Sequence, residues 1–264
     1  METAVDAKHY DHNYYINEND GHREFREGLD VEIHEKFKRF FDILNPVSEK
    51  NILDIGCGRG EIAYYAAKKG CEIYSVDYSI AAVEITKKTL ERLPDEQRRL
   101  VRVQCVDIIN AHIEEKFDYI VMIDVLEHLT VYQTEVLFEK FGKLLKEGGK
   151  VFISTPNGLY EQFFYNLKHI VQYPWKPVKT LFRIFKGKYK PKNFKEFLSK
   201  TFRIIPKKDQ KLEIMHVNVM TPWALRELML KQGLIPEFFS GKGFFDREMV
   251  VIGSLARNSI INNK

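Results

Sequence analysis

Two stretches of this chain have residue types and spacing suited to chemistry. The first is Asp54-Ile55-Gly56-Cys57-Gly58-Arg59-Gly60-Glu61. An apolar strand delivers a carboxylate, then glycine at every second position, then a helix. That order builds a ligand crevice at the carboxyl end of a central strand. Glycine is needed there because the backbone turns tightly and a ligand must approach it with no Cβ in the way. Two common ligand loops are excluded. A dinucleotide loop, G-x-G-x-x-G, would place its third glycine at position 61, which is Glu61, and no P-loop Lys-Ser/Thr follows. Asp54, just before the loop, suits a cationic ligand better than a phosphate. The second stretch is Asp124-Val125-Leu126-Glu127-His128. It closes an apolar run ending at Ile123, the pattern of a fully buried strand. His128 is the natural general base, since imidazole titrates near neutrality, with Glu127 or Asp124 to orient it. The alternative is a structural histidine at a helix N-terminus.

These residues need strands and helices in alternation to hold them. Cys71-Glu72-Ile73-Tyr74-Ser75-Val76-Asp77 reads as a second strand ending in an acid. Asp77 falls about twenty residues beyond the glycine loop, where α/β nucleotide folds place a carboxylate on the ribose hydroxyls. Its alternative role is N-cap of the next helix, although Ser79 serves as well. A third strand runs from Leu100 to Cys105 and leads into Val106-Asp107-Ile108. A fifth, opened by Gly148-Gly149, ends at Thr155-Pro156-Asn157. Thr221-Pro222 opens a final helix to about Lys231, stopped by Gly233. Leu234 to Phe239 and Glu248 to Leu255 then read as an antiparallel strand pair.

Asp54-x-Gly56-x-Gly58-x-Gly60 resembles motif I of class I S-adenosylmethionine (SAM) dependent methyltransferases. Asp124-Val-Leu-Glu127-His128 and Thr-Pro-Asn157 are similar to the motifs after the fourth and fifth strands in members acting on quinone precursors and other small hydroxylated acceptors. The resemblance is strong over residues 50–157 and weak over 213–255. It implies a Rossmann-like, seven-stranded, mostly parallel sheet with helices on both faces. It further implies SAM as cofactor, held by Asp54, Gly56, Cys57, Gly58, Gly60, Asp77, Tyr78, Asp107, Ile108, Ile123 and Asp124. Asp107 would accept from the adenine amino group and the Ile108 N–H would meet the ring; the other reading of Asp107 is an exposed turn residue. His128 and Glu127 would carry catalysis, as methyl transfer to a hydroxyl oxygen. Tyr14, Tyr15, Asn157 and His216 would line the acceptor pocket, although Tyr14 and Tyr15 have packing on the first helix as an equal alternative. Two further readings stand beside this one. Asp124, Glu127, His128 and His216 form a donor set for Mg²⁺, Mn²⁺ or Zn²⁺, partly similar to metal-dependent RNA 2′-O-methyltransferases, while the main reading needs no metal. The last is a SAM-binding protein without transfer activity.

At 264 residues with 44% apolar content, the chain is long enough for one domain with a full core. No apolar run is long enough to predict a transmembrane helix, and the N-terminus lacks the basic-then-apolar order of a secretory signal. Three cysteines without a CxxC pair point to a reduced, cytoplasmic setting. Four segments follow: an N-terminal lid and helix over 1–49, the SAM-binding core over 50–157, a basic-aromatic insertion over 158–212, and the closing helix and strand pair over 213–264. One helix is expected from Arg26 to Leu44, with Val31, Ile33, Phe37, Phe40, Phe41 and Leu44 on its apolar face. Net charge is +4, yet positions 158–212 hold fourteen Lys/Arg against three Asp/Glu. Within them Val178, Leu181, Phe182 and Phe185 share one helical face, and Lys179, Arg183 and Lys186 lie largely off it. Three readings fit this insertion: a folded cap over the acceptor pocket with its aromatics buried, a surface that docks on anionic membrane, or a nucleic-acid groove. The first two are compatible for a lipid-like acceptor, with the protein peripheral on the inner face of a membrane.

Overall fold

The strands β1 (Asn51–Ile55), β2 (Glu72–Asp77), β3 (Val101–Cys105), β4 (Phe117–Ile123), β5 (Leu145–Pro156), β6 (Leu234–Phe239) and β7 (Glu248–Leu255) form one sheet in the order β3-β2-β1-β4-β5-β7-β6. The structure is a computed structural model that describes residues 5–29, 33–165, 175–202, 214–239 and 246–255. The first five strands pair in parallel; β7 runs antiparallel to both β5 and β6. Strand order reverses between β1 and β4. Crossovers leave β1 and β4 toward opposite edges, so a crevice opens at their carboxyl ends. Both sequence clusters lie there.

Helices α1 (His22–Glu27) and α2 (Glu35–Leu44) precede the sheet. Then come α3 (Glu61–Lys68), α4 (Ile80–Leu90), α5 (Asp95–Arg98) and α6 (Val131–Leu144). Helices α7 (Lys176–Phe185) and α8 (Phe194–Phe202) occupy the insertion, and α9 (Pro222–Lys231) precedes β6. The central strands read as continuous apolar runs because helices cover both faces of the sheet. Ile52, Phe152, Tyr64 and Phe40 belong to the core on one side, and Leu53, Ile153, Phe138 and Phe141 to the core on the other. Phe40 of α2 meets Phe152 edge-on at 5.4 Å. Local signals set the helix starts. The Ser79, Thr130 and Thr221 hydroxyls accept from the backbone three residues on, and Thr130 with Gln133 completes a capping box.

The single helix expected from Arg26 to Leu44 is two. Gly28, at φ 114°, ends α1 in a conformation closed to other residues, and α2 starts afresh at Glu35. The periodicity of α2 had masked that break. Val31 lies outside the described residues.

Candidate active site

The loop after β1 is left-handed at Gly56, Gly58 and Gly60. A Cβ on Gly56 would stand 2.4 Å from Val125, and one on Gly60 2.9 Å from Thr86. These two glycines allow chain to pass chain. Gly58 meets nothing nearer than the Tyr15 ring at 3.6 Å, so it leaves room on the cavity side. The Gly58 N–H donates to Asp77 Oδ2 at 3.1 Å and the Ser79 N–H to Asp77 Oδ1 at 2.9 Å. The loop and the end of β2 are thereby held to one another. Burial pushes the Asp77 carboxyl up to about 6, against those two donors. Asp54 sits beneath the loop, buried, with the Ser75 hydroxyl donating to it; burial raises it to about 7.

The cavity over this loop is lined by Gly56, Cys57, Gly58, Asp77, Tyr78, Asp107, Ile108, Ile123 and Asp124, but not by Asp54 or Gly60. Asp107 is exposed and also shapes its own turn: Ile109 N–H and the Asn110 amide donate to its carboxylate. The N-terminal segment supplies Val5, Tyr10, Tyr14, Tyr15 and Asn19 to the same lining. Its hold on the core is specific. Arg59, 2% exposed, donates to the carbonyls of Tyr15 at 3.1 Å and Asp20 at 2.8 Å, and through Nε to Glu61 at 2.7 Å. The Ser79 hydroxyl donates to the Tyr10 carbonyl at 2.7 Å.

At the far wall Asp124 takes a left-handed backbone conformation, φ 53°, fixed by its N–H donating to Ser154 O. Its carboxylate is paired with Lys36 of α2, a lysine with only 2% of its surface exposed. Burial alone would raise Asp124, but the Lys36 ammonium outweighs it and holds the group below the usual carboxylate range. Glu127 is 1% exposed and accepts from the Thr155 hydroxyl at 3.0 Å. Burial, reinforced by the Asp124 charge, pushes it up to about 8. His128 Nδ1 lies 2.9 Å from the carbonyl of Met215. A carbonyl only accepts, so Nδ1 carries the proton and Nε2 the bare lone pair. Burial holds the ring neutral, with its pKa down at about 4 despite the carbonyl contact. Nε2 is 3.9 Å from Glu127 Oε1.

Tyr10 packs edge-on against His128 at 5.5 Å, and His216 lies 5.2 Å from the same ring. Glu127, His128 and His216 bring one donor atom each within 4.8 Å of one another. Asp124, the fourth member of the expected donor set, is turned to Lys36 instead. Asn157 is not in the cavity lining: its amide donates to Asp246 O and its oxygen accepts from Leu159 N–H, so both ends of the side chain are used in joining β5 to the chain beyond it. Lys36, Tyr10 and Arg59 are among the site residues that the sequence reading missed. Of these three, Arg59 left a signal, a long cation inside a glycine loop.

The family model described as a methyltransferase domain matches residues 25–235. The chain belongs to this methyltransferase family, and its seven-stranded sheet is the Rossmann-like one of class I members. It is 32% identical over 119 residues to a ubiquinone biosynthesis O-methyltransferase of Coxiella burnetii, an overlap of 45% of this chain and 48% of the relative. The chain thus spans about half the length of the curated relatives it matches. Among solved structures it shares its fold with the methyltransferase domain of bacterial CtHen1-C, at TM-score 0.53 and 19% identity over 84% of this chain and 97% of the other. The same holds for the glycopeptide N-methyltransferase MtfA complexed with SAM, at TM-score 0.54 and 11% identity over 84% and 93%. MtfA is the one of these described with SAM bound, and the cavity here suits a ligand of that chemistry. A glycine cradle is open to the ligand at Gly58, an acid ends β2, aromatic and aliphatic side chains line the middle, and no P-loop lysine is present.

Proposed function

We propose that the protein methylates a hydroxyl oxygen of a small or lipid-like acceptor, with His128 as general base. The observation that carries this reading is the hydrogen bond from His128 Nδ1 to Met215 O. It leaves a neutral ring in the cavity wall with Nε2 ready to take a proton. Bound SAM supplies a methyl group made electrophilic by its sulfonium. Asp77 would accept from its ribose hydroxyls, Asp107 and Ile108 would meet its adenine, and Gly58 would let it lie against the backbone. His128 Nε2 takes the acceptor's hydroxyl proton as its oxygen becomes the nucleophile. The ionised Asp124 carboxylate nearby offsets the imidazolium charge, while Glu127, protonated near neutral pH, stands beside the same nitrogen. Tyr14 and Tyr15 shape the acceptor end from the cavity wall; His216, expected beside them, is not in the lining and reaches the site only by packing on His128. The similarity to a ubiquinone biosynthesis O-methyltransferase supports oxygen as the methylated atom.

In His128→Ala, turnover of a catechol acceptor is expected to fall about 10²- to 10⁴-fold, the usual worth of a positioned base, with the SAM Kd from calorimetry unchanged. Wild-type turnover in that variant would remove His128 from the chemistry.

A second reading rests on the Glu127–His128–His216 cluster: a divalent cation held there, activating the 2′-hydroxyl of an RNA end. Dialysis against a chelator separates the two. Activity unaffected by the chelator supports the base; activity lost and restored by Mg²⁺ or Mn²⁺, and absent in His216→Ala, supports the cation.

A further inference from the structure

Helices α7 and α8 turn apolar surface toward solvent. A helix of a globular protein puts its apolar stripe on the core. Here Trp175 is 66% exposed, Phe182 56%, Phe185 89% and Phe194 73%, and Val178, Leu181 and Leu198 are exposed with them. The expectation that a cap would bury these aromatics is not met. The two helices pack on one another, and Phe194 stacks on Phe197 at 6.2 Å, so the surface they present is an ordered one.

Charge surrounds this surface with one sign. Positions 175–202 hold nine Lys/Arg and a single acid, Glu196. That acid is turned inward to the connection between the helices, accepting from Lys192 N–H at 2.7 Å and from the Tyr189 hydroxyl. At 100° per residue, Val178, Leu181, Phe182 and Phe185 form one narrow stripe, with Lys179, Arg183 and Lys186 along its flank. The Lys186 ammonium lies 4.5 Å from the Phe182 ring centre, at the border where a lysine stem covers apolar surface and its charge reaches water.

We propose that α7 and α8 dock the protein on an anionic lipid bilayer. The stripe enters the interface with Trp175 at its start, and the lysines meet the headgroups. Among the described residues no helix is long and apolar enough to cross a membrane, so the contact is with the surface. Nucleic acid fits less well: Val178 and Leu181 offer no stacking platform, and a continuous aliphatic-aromatic stripe is not matched by a phosphate backbone. A second copy would set one cationic face against another. Both ends of the insertion return beside the candidate base. Gly158 N–H donates to Met220 O, Asn218 N–H to Glu127 O, and Met215 O accepts from His128. The two helices thus belong to a segment that leaves and rejoins the core beside the acceptor end, as a lipid-like acceptor requires. The inference stands apart from the O-methylation reading, because bilayer binding is measured without turnover.

The test is flotation with vesicles of phosphatidylcholine, with and without phosphatidylglycerol. The wild type is expected to float with the anionic vesicles only, and less so as salt is raised. Phe182→Ser/Phe185→Ser should lower partitioning at least about tenfold. Lys179→Glu/Arg183→Glu/Lys186→Glu should abolish the preference for anionic lipid. Both variants should keep wild-type Tm and SAM binding, since the changed side chains lie at the surface. In Trp223→Phe, Trp175 is the remaining tryptophan, and its emission should shift to the blue on vesicles. The proposal is overturned if the wild type binds neither vesicle, binds both equally, or floats unchanged in the Phe variant. A single-stranded oligonucleotide bound by the wild type and by the Phe variant, but not by the charge variant, would give the surface to nucleic acid. A dimer in solution that the Phe variant dissociates would give it to a second copy.

Discussion

Glu127 shows how one buried carboxyl ties the site to pH. Its pKa is pushed up to about 8 by burial and by Asp124, far above that of an exposed glutamate. Between the two values the folded chain holds a proton that the unfolded chain has released. The stability it contributes is therefore full below the unfolded pKa and is lost as pH rises through the folded one. Asp54, near 7, and Asp77, near 6, act in the same direction. The wild-type Tm is expected to fall between about pH 5 and pH 8.5. In Glu127→Gln, which can still accept from Thr155, the fall should be shallower; parallel slopes in calorimetry would show that Glu127 keeps an ordinary pKa. How far such residues were legible depends on their reach. Gly58, Asp77, Asp107 and Asp124 stand at or just beyond strand ends, where local spacing alone sends them toward the crevice. Lys36 does not: its partner Asp124 is 88 positions away, and nothing near Lys36 in sequence sets it apart from its helix neighbours Lys38 and Arg39. Asn157 shows the converse limit. It matches a motif, yet both ends of its side chain are satisfied by the backbone.

At the scale of elements, the sheet was legible because buried parallel strands write themselves as apolar runs punctuated by acids and glycines. The N-terminal segment was not, since its order comes from contacts with the core rather than from its own pattern. The Arg59 contacts to Tyr15 and Asp20 bridge 44 and 39 positions. Arg59 is thus a latch between the glycine loop and the segment that covers it, and removing it should loosen that segment selectively. Changing Arg59 alone would leave Glu61 buried and unpaired, a separate penalty. In Arg59→Ala/Glu61→Gln no charge is stranded. Proteolysis ahead of α2 should then accelerate about tenfold, the loss of one to two charge-assisted hydrogen bonds, while the sheet resists as before. Equal protection in mass-mapped digests would mean that the Ser79–Tyr10 contact and the tyrosine packing hold the segment without Arg59. The insertion was legible as an amphipathic basic helix; which way its apolar face points is a tertiary property, and the exposure of Phe185 answers it.

The whole molecule converges on one cavity. Its walls come from the N-terminal segment, the loop after β1, the ends of β2 and β4, and α2 through Lys36. These parts are distant in sequence and meet only where strand order reverses. A ligand that touches all of them stabilises the assembled state against any opening that separates them. SAM at about 100 times its Kd should add about 2.7 kcal/mol to stability, or a rise in Tm of roughly 5–10 °C for a chain of this size. Asp77→Asn tests whether the rise comes through this site. The amide oxygen keeps the Gly58 N–H while the amide nitrogen gives up the Ser79 one, and the negative charge proposed to meet the ribose hydroxyls is gone, so the shift at the same SAM concentration should shrink. NAD⁺ carries the same adenosine with a pyrophosphate, and the cavity has an acid and no P-loop lysine to meet it. NAD⁺ should therefore leave Tm nearly unmoved. A shift by NAD⁺ equal to that by SAM would mean that the cavity reads adenosine alone, and that the glycine spacing with Asp54 does not select against phosphate.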